Sequence, residues 1–153
     1  MTRALLVVVA LAIALGVALA GCLEPEVGPL LAGTCKDADS DPAATVSFST
    51  QILPIFARAP GGCGCHMPNA GGPGIGIQLS GLNLSSLSAL RAGGRNSGAR
   101  IVVPQQPCES ILYEKVYEAP PFGSRMPLGG PPFLSDADLD LLHDWISEGA
   151  VDN

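Results

Sequence analysis

Apolar side chains recur every three or four residues in four segments after residue 45, a spacing typical of short helices packed on a core. The predicted helices cover residues 49–58, 86–91, 109–117 and 135–149. The last has the clearest signals, because Ser135 suits an N-cap, acidic residues fill the first turn and Gly149 suits the end. A strand pattern occurs only at residues 101–103, and Pro104 ends it. We therefore predict an all-α fold of about four short helices joined by long loops rich in Gly and Pro.

A longer apolar segment lies at the N terminus. Residues 4–20 are almost wholly apolar, follow Arg3 and lead into Leu-Ala-Gly-Cys22. A basic start, a short apolar segment and small residues before a cleavage point are typical of a secretory signal. The last four residues resemble a bacterial lipoprotein signal, which implies cleavage before Cys22 and attachment of acyl chains to it. The alternative is an ordinary signal peptide.

The chain divides into three parts on this basis. Residues 1–21 are the predicted signal peptide, and residues 22–45 are a lipidated N terminus and flexible tether, since they show no sustained period. Residues 46–153 form the predicted domain. Because Leu23 and not Asp follows Cys22, the lipoprotein resemblance implies an envelope location on the outer membrane of a Gram-negative host.

Charge and motifs exclude several classes of function. The net charge is −6 and only eight Lys and Arg occur, whereas a nucleic-acid surface needs clustered cations. The sequence has no Ser/His/Asp grouping, no phosphate-binding loop and no convincing pair of catalytic carboxylates. We therefore expect neither an enzyme nor a nucleic-acid-binding protein.

The candidate chemistry lies at Cys63-Gly-Cys65-His66, where two thiols and an imidazole occupy four positions. This segment resembles C-x-x-C-H, in which both thiols bond the vinyl groups of haem and the His becomes an iron ligand. Here the spacer is one residue, and position 62 is Gly.

Residues 46–150 as a whole resemble class I c-type cytochromes, and most closely the planctomycete-type cytochrome c domains of exported bacterial proteins. The matching residues are Val46-Ser-Phe48, Pro54-Ile-Phe56, Cys65-His66, Gly81-Leu82-Asn-Leu84, Gly93-Gly94, Ile101-Val-Val-Pro104, Pro107, Ser110-Ile-Leu112, Arg125-Met126-Pro127, Leu134-Ser135-Asp136, Asp144-Trp145-Ile146 and Gly149-Ala150. The resemblance implies a haem packed between the first and last helices, with His66 and Met126 as its iron ligands. Met126 lies in a loop that Pro and Gly keep out of helix, whereas Met67, directly after His66, cannot reach the opposite haem face.

The short spacer leaves three arrangements open. Both Cys63 and Cys65 bond haem, or Cys65 alone bonds haem while Cys63 pairs elsewhere, or no haem is bound. Two thioethers leave Cys35 and Cys108 to form a disulfide, one thioether makes a Cys63–Cys108 disulfide attractive, and no haem leaves two disulfides.

Three functions follow. The first is a membrane-anchored haem-c protein that carries single electrons to a redox partner, with the acidic last helix steering that partner. The second is a disulfide-stapled lipoprotein with a degenerate cytochrome fold, acting as a binding or structural module without haem. The third is a copper or zinc site formed by Cys63, Cys65 and His66, with Cys108 as a candidate fourth ligand. The other imidazole, His143, is expected to face solvent.

Overall fold

The computed structural model describes residues 35–118 and 120–153. The predicted signal peptide, the lipidation site Cys22 and residues 23–34 lie outside the described residues. Within these two ranges, no helix combines the length and the hydropathy needed to cross a membrane.

Within the described ranges, five short α-helices and several single helical turns build the fold. The α-helices are α1 (Leu53–Ala57), α2 (Ile75–Ser80), α3 (Leu87–Arg91), α4 (Ile111–Val116) and α5 (Asp136–Ser147). A π-turn (Phe48–Ile52) runs directly into α1, and 3-10 turns lie at Gly64–His66, Gly98–Ile101 and Pro107–Glu109. Outside an isolated bridge between Asn69 and Gly72, residues 35–118 and 120–153 contain no β-pairing. The all-α prediction is therefore confirmed.

The first and last helical segments pack on each other at the centre of the core. Phe48 and Trp145 are buried, and their ring centroids lie 5.5 Å apart. Pro54 lies in the first turn of α1, the part of a helix in which the missing N–H of proline costs least. The predicted helix over residues 49–58 is thus present, with a wider π-turn as its first part.

Helix α5 begins and ends on the residues that the sequence indicates. The Ser135 hydroxyl accepts from the Asp138 N–H, and the Asp138 carboxylate accepts from the Ser135 N–H, which completes a capping box. After Glu148, Gly149 takes a φ of +106°, a conformation open to glycine and strained for other residues.

Two local predictions differ from the structure. Helix α2 was not predicted, because glycines surround it and its apolar residues form no recognisable buried stripe. Residues 101–103 form no strand: Ile101 ends a 3-10 turn, and the Val103 N–H donates to the Ser110 hydroxyl at 2.8 Å instead of to another strand. An extended segment becomes part of a sheet only if a partner strand is present.

Residues 35–45 belong to the folded unit, although the sequence assigns them to a flexible tether. A disulfide joins Cys35 to Cys108, with their Cα atoms 5.8 Å apart. Ser40 donates its N–H and its hydroxyl to the Asp144 carboxylate. Contacts between positions so distant in sequence leave no periodic pattern, so the sequence of residues 35–45 resembles that of a linker.

The expectation that His143 faces solvent is wrong. Its side chain is only 14% exposed, and its Nε2 lies 2.6 Å from the Lys36 carbonyl oxygen. The ring also meets the edge of Tyr113, with centroids 5.4 Å apart. Residues 35–45 cover this face of α5, and the pattern of the helix alone does not show that a distant segment lies there.

Candidate cofactor site

An apolar cleft lies beside α4 and is the candidate functional site. The cavity volume that water-sized molecules can occupy in this cleft is about 130 Å³, and the cleft is partly open to solvent. The lining residues are Cys63, His66, Ser80, Leu82, Leu84, Gly94, Asn96, Ser97, Ile101, Ile111, Leu112, Lys115, Val116, Phe122 and Met126. The cleft therefore brings together three of the residues expected to hold haem: Cys63, His66 and Met126.

His66 is held in one orientation by its Nδ1 atom. This nitrogen lies 3.2 Å from the Leu82 carbonyl oxygen, and because a carbonyl can only accept, Nδ1 carries the proton. The Ser80 hydroxyl donates to the Gly76 carbonyl, so it leaves that assignment intact. Among the described residues no hydrogen bond occupies Nε2, which is thus the atom available to a metal in the cleft.

The electrostatic surroundings keep the His66 ring neutral. The ring is largely buried, and this desolvation lowers the pKa of His66, with the Lys115 charge acting in the same direction. The Leu82 hydrogen bond opposes the shift only in part. A neutral imidazole is the form that ligates iron or another metal.

Three glycines allow the backbone to close around the Cys63–His66 segment. A Cβ at Gly62 would lie against the carbonyl oxygens of Arg58 and Ile55, at 2.7 Å from the latter. A Cβ at Gly76 would lie 2.9 Å from Cγ and Cδ2 of His66, and one at Gly74 would meet the Cys65 and Met67 carbonyls. Position 62 therefore has no room for a side chain, and a cysteine there would collide with the backbone.

Cys63 and Cys65 have different environments. The Cys63 side chain is buried and lines the cleft, and its backbone N–H donates to the Phe56 carbonyl at 2.8 Å. Burial, with the neighbouring Cys65 as a smaller cause, raises the pKa of the Cys63 thiol to about 11. Cys65 is exposed and is not part of the cleft lining. The structure thus separates two thiols that the sequence treats as a pair.

Met126 reaches the cleft on a loop that is fastened to the C-terminal end of α4. The Met126 N–H donates to the Lys115 carbonyl at 2.7 Å, and Lys115 Nζ donates to the Phe122 and Ser124 carbonyls, both at 2.6 Å. Arg125 Nε donates to the Val116 carbonyl at 2.9 Å. These bonds hold a loop without regular structure against one helix, so that the thioether of Met126 has a defined position.

The disulfide in the structure differs from the predicted Cys63–Cys108 disulfide. Cys108 is bonded to Cys35, and both Cys63 and Cys65 are free thiols. The Cys63–Cys108 disulfide is therefore wrong, because residues 35–45 fold back and bring Cys35 to the 3-10 turn that carries Cys108. The Cys35–Cys108 pairing is the one expected when both remaining cysteines are reserved for haem.

The same pairing removes one ligand from the copper or zinc hypothesis. Cys108 lies with Cys35 and His143, whose ligand atoms are all within 4.8 Å of one another, and not with Cys63, Cys65 and His66. Among residues 35–118 and 120–153 this is the only grouping of three or more His, Cys, Asp or Glu that is close enough for a metal ion. Two of its members, Cys35 and Cys108, form a disulfide and therefore offer no thiolate to a metal ion.

Sequence comparison adds no relative: no family model, curated protein or solved structure matches the chain significantly. The assignment of the site rests on its own geometry. The donor set fits a haem, since an imidazole nitrogen and a thioether sulfur line one apolar cleft and a thiol lies beside them. The sequence gives no signal for the Leu82 carbonyl or for Lys115, because their roles depend on contacts between distant segments.

Proposed function

We propose that the protein is a haem-c electron carrier of the cell envelope, related to the class I c-type cytochromes. The observation that supports this most directly is the shared cleft of His66 and Met126, with Nδ1 of His66 already committed to a carbonyl. A haem needs an apolar wall with two isolated ligand atoms. A polar substrate would instead need several hydrogen-bonding groups. Bound haem supplies an iron that exchanges one electron between Fe(III) and Fe(II).

The residues of the chain would then act by binding, orienting and excluding water. His66 and Met126 would both hold the iron, which would leave no ligand position for a substrate. The proposed role is therefore that of a carrier and not of an enzyme. Met/His ligation raises the reduction potential, and the buried surroundings act in the same sense by disfavouring extra charge on the oxidised iron. The hydrogen bonds of the loop after α4 would hold Met126 at the iron.

The proposed location is the cell envelope, on the outer membrane facing the periplasm or the exterior, through acyl chains on Cys22. The first described residue, Cys35, is already fastened to the domain, so at most residues 23–34 separate the lipid from the folded unit. An extended chain covers about 3.3–3.6 Å per residue, which keeps the domain within a few tens of ångströms of the bilayer. A membrane-associated redox partner is therefore the expected type of partner.

The test is an absorption spectrum of the mature protein, produced with a cytochrome c maturation system and also after addition of ferrous haem to the purified chain. A Soret band and a mass increase of one haem are expected. A protein that remains colourless in both preparations would overturn the proposal.

A second function is favoured by one observation. The Cys35–Cys108 disulfide forms without involving the cleft, so the fold is stapled whether or not a cofactor is present. A disulfide-stapled lipoprotein that binds an apolar molecule in the cleft is the alternative. A colourless protein whose intact mass fits one disulfide and two free thiols, and which takes up a fluorescent apolar probe, would support it.

A further inference from the structure

We infer that haem is attached through a single thioether, formed by Cys63, and that Cys65 remains a free surface thiol. This inference rests on the proposed function and specifies how that same cleft holds its cofactor. It reverses the expectation that a lone attachment would use Cys65, the cysteine directly before His66.

The first support is the placement of the two thiols. Cys63 is 6% exposed and lines the cleft together with His66 and Met126. Cys65 is exposed, lies outside the cleft lining and belongs to the 3-10 turn Gly64–His66. A cofactor in the cleft would contact the first thiol and not the second.

The second support is that the backbone resists the rotation that would bring Cys65 inward. The His66 N–H donates to the Cys63 carbonyl at 2.9 Å, and the Met67 N–H donates to the Gly64 carbonyl at 3.1 Å. The Gly74 and Gly76 backbones lie so close to the Cys65 carbonyl that a Cβ at either position would collide with it, so little free space surrounds this peptide. His66 and Cys65 are adjacent on a tight turn, and the turn presents them to different sides.

The third support is the absence of space for a two-residue spacer. A cysteine at position 62 would drive its Cβ into the carbonyls at the end of α1. Cys63 takes the next position along the chain, anchored by its hydrogen bond to the Phe56 carbonyl. The turn is thus built to deliver one thiol to the cleft.

The attachment itself needs no additional reactant. The Cys63 S–H adds across one vinyl C=C of the haem: the sulfur bonds to the carbon next to the ring, and the hydrogen goes to the terminal carbon, which becomes a methyl group. The S–H bond and the C=C π bond are lost, one C–S and one C–H bond form, and no electrons are exchanged with the surroundings. The second vinyl group stays intact.

The experiment compares the full mature chain with its Cys63→Ala and Cys65→Ala variants, each incubated with ferrous haem under reducing, oxygen-free conditions. Haem that survives acid–acetone extraction is measured by intact mass, and fragmentation of the wild-type peptide locates it. We expect covalent haem in the wild type and in Cys65→Ala, located on Cys63, and only extractable haem in Cys63→Ala. The pyridine haemochrome band of the wild type should indicate one remaining vinyl group.

Alkylation gives a readout that does not depend on haem loading. In the haem-free wild type, iodoacetamide should modify Cys65 on the order of tenfold faster than Cys63, because Cys63 reacts only when the cleft opens. In the loaded protein one thiol, that of Cys65, should remain reactive. Faster modification of Cys63 in the haem-free chain would overturn the inference.

The outcomes separate this inference from the proposed function. Covalent haem that depends on Cys65, or on both cysteines, or haem that is fully extractable from the wild type, would overturn the single Cys63 thioether and leave the carrier intact. Absence of any haem binding in all three proteins would overturn the proposed function and this inference with it.

Discussion

Nδ1 of His66 lies 3.2 Å from the carbonyl oxygen of Leu82, and this contact leaves Nε2 as the ring nitrogen that can bind a metal. The carbonyl orients the ring and increases the basicity of the opposite nitrogen, as the outer partners of metal-binding histidines generally do. The Ser80 hydroxyl also lies near Nδ1 of His66, and Ser80 belongs to α2. The same helix contains Gly76, which packs on the face of the ring. Helix α2 is therefore the support on which the candidate ligand rests.

Replacement of Met126 by Ala should change the iron ligation and leave haem attachment intact. Loss of the thioether is expected to lower the reduction potential on the order of a few tenths of a volt, since axial ligands set potentials over about 0.8 V. The measurement is a potentiometric titration with absorption spectra of both oxidation states. Met67→Ala is the matched control, because Met67 is half-buried near His66 but outside the cleft lining. An unchanged potential in Met126→Ala would show that Met126 is not a ligand.

Replacement of Gly76 by Ala should destabilise the fold and disturb the His66 ring. The new Cβ would lie 2.9 Å from two ring atoms, a collision that typically costs about 1–3 kcal/mol. Urea unfolding at neutral pH measures the loss. Gly64→Ala is the control within the same segment, because a Cβ at Gly64 meets nothing within 4 Å, and its effect should stay within about 0.5 kcal/mol. Equal stabilities of the two variants would contradict the close packing of α2 on the ring.

The Arg58–Asp138 ion pair should make stability depend on pH in the acid range. Arg58 donates both guanidinium nitrogens to the Asp138 carboxylate, at 2.7 Å and 3.2 Å, and this lowers the pKa of Asp138 to about 2, with the Ser135 hydrogen bonds contributing. The carboxylate is ionised in the folded chain at pH values where the unfolded chain binds a proton. Its stabilising contribution is therefore complete above about pH 4–5 and is lost as the pH falls toward 2.

The variant Asp138→Asn tests this dependence. Because the Arg58 side chain is nearly half exposed, solvent screening reduces the effect, and we expect a loss of roughly 1–2 kcal/mol at pH 7 that shrinks toward pH 2. Asp136→Asn, an exposed first-turn carboxylate, is the control. The measurement is urea unfolding at several pH values. A loss of the same size at pH 2 and pH 7 would exclude the ion pair as its cause.

Removal of the Cys35–Cys108 disulfide should destabilise the domain through the unfolded state. The bond closes a loop with a sequence separation of 73, for which loop entropy predicts about 4 kcal/mol. The double variant Cys35→Ser/Cys108→Ser, compared with the oxidised wild type by thermal and urea unfolding, measures this. A reducing agent should lower the stability of the wild type and leave the double variant unchanged. If the oxidised wild type and the double variant unfold at the same urea concentration, the disulfide has no such role.

Local signals in the sequence were sufficient for the helical class and for the best-defined element. Ser135, the acidic residues after it and Gly149 act on their immediate neighbours, so their effect is legible without a tertiary structure. The helical segment that contains α1 follows likewise from the apolar spacing of Phe48, Ile52 and Phe56, although the π geometry of its first part does not. Helix α2 was missed because a glycine-rich segment becomes helical here only through packing against the His66 turn.

In the candidate site, too, some features follow from the sequence and others depend on the tertiary structure. Cys63, Cys65 and His66 are contiguous, so the sequence by itself places two thiols and an imidazole in one segment, and the resemblance to c-type cytochromes implies Met126 as a second ligand. Which thiol enters the cleft depends on a turn whose path is set by backbone collisions at Gly62 and Gly76.

Cysteine pairing and the support of both candidate ligands were decided only by tertiary structure. Cys35 meets Cys108 because the N-terminal segment folds back onto α5, and Met126 is placed by carbonyls and amines of residues on another segment. Such contacts join positions far apart in the chain, and backbone carbonyls are identical at every residue. No pattern of side chains along one sequence can encode them, since they exist only once the core has brought the segments together.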